Sequence, residues 1–147
     1  MVWLYLLFAF AAGVALPFQA GVNAQLSHWI DSPIRAAFVS FAVGTVALLL
    51  VSLLVFKPLP STGRLGDAPW WVWLGGLTGG FYVVAAAVTA PHLGAATLIA
   101  LVVAGQSLAS LLVDHFGWVG FDQHHLSAGR LGGMVLVAAG VVLVRIF

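Results

Sequence analysis

The chain has 147 residues, 63% of them hydrophobic and 6% charged, with five basic and four acidic side chains, no cysteine and no glutamate. A soluble domain is about a quarter charged, so these charges cannot solvate a globular surface, and a net charge of +1 offers no basic patch for nucleic acid. Without cysteine there are no disulfides, thiolate metal sites or cysteine nucleophiles, and a mean hydropathy of +1.14 leaves a small polytopic membrane protein.

A hydrocarbon core of about 30 Å takes roughly 20 apolar residues per helix. Five stretches meet that length: residues 2–24, 34–56, 69–90, 93–114 and 127–147. The expected fold is all-α, one five-helix transmembrane domain over residues 1–147. A β-barrel would need short strands of alternating polarity, whereas Val46 to Phe56 and Met134 to Val144 are apolar on every face. The first stretch weakens after Pro17. It lacks the basic start of a signal peptide and reads as a retained helix. Ser27, Asp31, Ser32 and Pro33 mark the first turn, and Lys57, two prolines, Arg64 and Asp67 mark the second. Trp70, Trp71 and Trp73 open the third stretch as interfacial anchors do. Pro91 and His92 separate the third from the fourth, and a loop with three histidines and two glycines separates the fourth from the fifth.

Polar side chains within a bilayer face a bundle interior or a cavity. In the fourth stretch Gln106, Ser110 and Asp114 are spaced by four and share a face, with Ser107 beside them. They are either hydrogen-bonding glue between helices or the lining of a cavity. Asp114 opposes the helix macrodipole and calls for a partner such as Arg130. In the first stretch Pro17 frees the carbonyl of Gly13, and Gln19 and Asn23 share a face beyond it. Gln19, Asn23, Gln106 and Ser110 are the candidate substrate-binding residues. His92 and Asp114 are candidate proton-coupling groups.

Gly75 with Gly79, Gly76 with Gly80, Gly129 with Gly133, and Ser40 with Gly44 are small residues four apart. Such pairs let helix backbones approach closely, within one subunit or at a dimer interface. His28, His92, His115, His124 and His125 fall in or near loops, and their spacing suits no zinc site. No metal or other cofactor is expected. Catalytic signatures are absent, and the four aspartates lie at span ends, so an enzyme is not expected.

With five spans, Lys57, Arg64 and Arg130 fall on one side and Arg35 and Arg145 on the other. The positive-inside rule needs a Lys/Arg bias, and this one is close to none. Either one orientation prevails with the 57–68 loop inside, or copies insert both ways up. An odd number of spans favours the second. Many transporters pair two inverted halves about a midplane site, and a single five-span unit regains that symmetry with an oppositely inserted copy.

Ala90 to Ala96 (APHLGAA) and Val103 to Gly117 (VAGQSLASLLVDHFG) resemble the bacterial YdcZ-like branch of the drug/metabolite transporter superfamily. The resemblance covers almost the full length. It includes Gln19 to Asn23, Ser40-Phe41 with Gly44, Trp73 with Gly75, Gly76 and Gly79, and Arg130 with Gly132. It implies an inner-membrane exporter of a small metabolite or drug-like solute, and half of a ten-helix inverted-repeat architecture. The resemblance also implies an antiparallel dimer, with a second copy or a paralogous five-helix subunit. The related four-helix multidrug exporters rely on a first-helix glutamate, which this chain lacks. A neutral lining of Gln, Asn and Ser suits a neutral or zwitterionic metabolite better than a hydrophobic cation. The expected activity is alternating-access transport, with the four candidate residues around a central cavity. The alternatives are a non-transporting membrane subunit or scaffold that binds through its glycine faces, and a passive channel.

Overall fold

The computed structural model describes residues 2–55 and 68–147. Regular structure among the described residues is all helical. The elements are α1 (Val2–Trp29), α2 (Pro33–Val55), α3 (Gly75–Phe116) and α4 (Ala128–Ile146), with 3-10 turns at Trp70–Leu74 and Trp118–Gly120. Four helices among the described residues are long and apolar enough to cross a membrane, with Trp70–Phe116 counted as one. Lys57, Arg64 and Asp67 lie outside the described residues.

α1 runs five residues beyond the expected end at Ala24. Pro17 costs one backbone hydrogen bond, and helix is still the way to satisfy backbone groups in hydrocarbon, so the helix resumes. It ends where Asp31 takes a left-handed conformation, φ 51°, which a short polar side chain tolerates better than most. Ser32 then caps α2, its Oγ accepting from the Arg35 amide at 3.3 Å. Pro33 follows at the first helical position, where a missing N–H goes unnoticed.

The third and fourth expected helices are not separated at Pro91 and His92. Helix continues through both residues and is interrupted at Gly94, with φ 73° and ψ 162°. Proline's fixed φ is compatible with helix, whereas the Gly94 conformation is essentially restricted to glycine. At 1.5 Å per residue, α3 would be about 63 Å long if straight, about twice a bilayer core. Its three tryptophans precede the α-helix proper, in the 3-10 turn that follows extended Pro69.

The end of α3 is tied to the start of α4. Gly117 is left-handed, φ 63°, as helix C-termini favour. The loop then folds back onto the last carbonyls of α3. The His124 amide donates to the Asp114 carbonyl at 2.7 Å, and Gln123 Nε2 donates to the His115 carbonyl at 2.9 Å. The Leu126 amide donates to His115 Nδ1 at 3.3 Å. Ser127 caps α4 by accepting from the Arg130 amide.

The chain forms two compact units, one of residues 1–17 and 93–147 and the other of residues 18–92. The core of the second is built from small side chains: Ala20, Ala36, Ala37, Val83, Ala86 and Ala87 are buried, and so is Asn23. Small residues are what close helix approach in a membrane requires. In the first unit only Thr97 and Leu98 are buried among the described residues, and α4 buries no side chain at all.

Candidate functional site

In the first unit a groove of about 580 Å³ runs between the C-terminal part of α3 and α4. Gln106, Ser107, Ser110 and Asp114 line it from α3, spaced so that one helix face supplies them. From α4 come Arg130, Gly133, Met134 and Val137. Arg130 Nη1 donates to Asp114 Oδ2 at 3.1 Å and to the His124 carbonyl at 3.4 Å. This is the partner that a carboxylate in the last helical turn needs. Both side chains of the pair remain about one-third exposed, 35% for Arg130 and 31% for Asp114. Gln106 and Ser110 are exposed along the groove. A second, narrower cavity on the same helix shares Gln106, Ser110 and Asp114 with Phe121 of the loop.

The second unit has its own polar groove, of about 210 Å³, lined by Gln19, Ser40, Phe41, Gly44, Thr45 and Leu48. Ser40 and Gly44, expected to pack helices, thus line a groove with Gln19. Asn23, one turn beyond Gln19, is 1% exposed, and its Nδ2 has no hydrogen-bond partner among the described residues. The Tyr82 hydroxyl of α3 is a second buried polar atom without a partner there. An unpartnered buried polar group costs about 1–3 kcal/mol, so unit 2 carries polar capacity that its own packing does not use. The apolar run around Tyr82 gave no sequence signal for it beyond the hydroxyl itself.

The four candidate binding residues are divided between the units: Gln19 and Asn23 in one, Gln106 and Ser110 in the other. His92 is exposed within α3, two residues before Gly94, rather than in a turn. Met134 and Val137 also line the larger groove, and as apolar side chains they carry no sequence signal of it. Of the glycine pairs, Gly79 makes the close approach, with a built Cβ 3.4 Å from Phe41 Cζ. Gly44, Gly75, Gly76, Gly80 and Gly133 face open space, and a Cβ at Gly129 would touch only Ser127 Oγ. His115 and His125 rings meet edge to face at 5.6 Å. Among the described residues no three His, Cys, Asp or Glu side chains are placed to hold a metal ion.

Residues 4–143 match the family described as "Putative inner membrane exporter, YdcZ". The chain is 34% identical over 143 residues to the inner membrane protein YdcZ of Escherichia coli (strain K12), covering 96% of this chain and 94% of that relative. No solved structure matches it.

Proposed function

Because the chain belongs to the YdcZ family of inner-membrane exporters along nearly its whole length, we propose that it moves a small solute across that membrane by alternating access. It is a multi-pass inner-membrane protein of a transporter family rather than an enzyme family. The observation that carries the finer reading is the polar face of α3. Gln106 and Ser110 are exposed on a groove of a helix long and apolar enough to cross a membrane, and polar side chains within a bilayer face a bundle interior or a cavity.

On this reading Gln106 and Ser110 are solute-binding groups of one unit, and Gln19 and Asn23 those of the other. Gly94 divides α3 into two spans, which makes five. The complete transporter pairs two chains in opposite orientations, two copies or this chain with a paralogous subunit. The open faces at Gly75, Gly76 and Gly80 suit close contact with such a partner.

The test is export itself. Cells that express the chain are compared with cells lacking it for small metabolites released to the medium, read by mass spectrometry. Released solutes are then followed in proteoliposomes. Gln106→Ala is expected to abolish the difference at equal membrane levels and equal dimer content. Unchanged export by that variant would remove Gln106 from the site, and identical media with and without the chain would remove the transport reading.

A further inference from the structure

The groove between α3 and α4 is graded along its length. Asp114 and Arg130 form one end. Gln106 lies two turns back along α3, and Val137 two turns on along α4, about 10–12 Å away at helical rise. Leu111, Met134 and Val137 make the walls apolar between the charges and Gln106.

The ion pair is not placed for helix stability. Asp114 sits in the last turns of α3 and Arg130 in the first turn of α4. Each charge opposes its helix dipole, and the same two charges exchanged would favour both dipoles. Nor is the pair saturated. Arg130 uses Nη1 alone for its side-chain hydrogen bonds among the described residues, and Asp114 uses Oδ2 alone. The remaining guanidinium donors and the second carboxylate oxygen belong to side chains that line the groove. Gly133, next to Arg130 on the groove side, leaves open space where a side chain would stand.

We infer that this groove binds a small zwitterion, its ammonium donating to Asp114, its anionic group accepting from Arg130, and its apolar remainder lying along Leu111, Met134 and Val137. A net-neutral pair of charges is matched by a net-neutral pair of opposite arrangement. A single cation or anion would satisfy one member and crowd the other with like charge. The inference rests on the transport reading and names the class of solute. An amino-acid-like solute and an ethanolamine phospholipid headgroup share this chemistry.

The experiment uses the full chain in phosphatidylglycerol nanodiscs, with thermal unfolding and titration as readouts. Leucine, leucinamide, N-acetylleucine and N-acetylleucinamide keep one side chain and carry both charges, either one or neither. In the lipid arm, phosphatidylethanolamine is compared with phosphatidylcholine, whose quaternary ammonium cannot donate. Leucine is expected to raise the unfolding midpoint and to bind about tenfold to a hundredfold more tightly than each single-charge analogue. A response confined to phosphatidylethanolamine would assign the same site to a headgroup. Arg130→Gln is expected to erase the preference for the zwitterion. Gly133→Val narrows the groove beside Arg130, keeps both charges of the ion pair and has room for its Cβ. It is expected to lose the ligand response without a lower ligand-free midpoint. Equal responses to leucine and a single-charge analogue, no response in either arm, or a full response in Gly133→Val would each overturn the inference. Flux on the same preparations separates it from its premise. Zwitterion binding without movement of solute would remove transport and leave the site. Transport without zwitterion binding would do the reverse.

Discussion

Asn23 is enclosed by alanine-rich packing in unit 2, and its amide donors find no partner among the described residues. A packing role alone would be served better by leucine, which has the same branched heavy-atom skeleton and nothing to satisfy. Asn23→Leu is therefore expected to raise the stability of the folded chain by about 1 kcal/mol while lowering solute flux. Thermal unfolding in detergent and flux in proteoliposomes check the two halves separately. A lower unfolding midpoint would mean that the amide has a structural partner in the folded protein, and undiminished flux would take Asn23 out of the solute path. The same logic marks Tyr82, whose hydroxyl is also without a partner among the described residues. Thr78 and Thr89 show the contrast. Each hydroxyl donates to a carbonyl of its own helix, at 2.9 Å to Gly75 and 2.7 Å to Ala85, so these side chains are satisfied locally and ask for nothing from outside.

The division of α3 depends on backbone conformation rather than contact. No heavy atom lies within 4 Å of a Cβ built at Gly94, yet its φ of 73° with ψ of 162° excludes side chains. Gly94→Ala is expected to cost about 1–3 kcal/mol, or to straighten α3 at that point. Gly80→Ala, in open space at helical φ, is the control and should leave unfolding unchanged or slightly raised. Equal midpoints for wild type and Gly94→Ala would show that the break is not required. The position of this break was only partly legible in the sequence. Pro91 is the visible breaker, but proline's own fixed φ is compatible with helix, and the conformational burden falls three residues later on a glycine that sequence gives no reason to prefer over its sixteen fellows. The Asp114–Arg130 pair was legible, because a carboxylate at a helix C-terminus in an apolar chain has few ways to be neutralised. The apolar walls of the groove were not. The charged residues of α4, Arg130 and Arg145, stand near its two ends, and between them Met134 and Val137 are apolar like the residues that face lipid. The end of α1 is displaced too: Ser27, Asp31, Ser32 and Pro33 read as a turn together, while the helix runs through Ser27 and stops only at the αL residue Asp31.

For the molecule as a whole, the sparse charge that excluded a soluble protein also sets the orientation problem. The five basic residues divide three to two between the two sides whether α3 crosses once or twice: Lys57, Arg64 and Arg130 against Arg35 and Arg145 with five spans, or Lys57, Arg64 and Arg145 against Arg35 and Arg130 with four. A single added or removed charge can therefore tip the balance. The two span counts differ in where the C-terminus ends, opposite the N-terminus with five and beside it with four. Adding lysines at the N-terminus, or at the link of residues 57–68, should yield chains locked in one orientation or its inverse. Reporters of opposite compartment preference at both ends of a locked chain are expected to signal from opposite sides, and signals from the same side would return the count to four. The locked chains also test the partner. If transport requires two inverted copies, each locked form expressed alone is expected to lose export, and the two expressed together are expected to restore it; α4 and most of residues 93–147 bury almost nothing within their own unit, which leaves their surface open to such a copy. Export by one locked form alone would mean that this chain works in a fixed orientation. Its inverted half would then be a different polypeptide, to be sought by cross-linking from Gly76 and Gly80, where an introduced side chain has room.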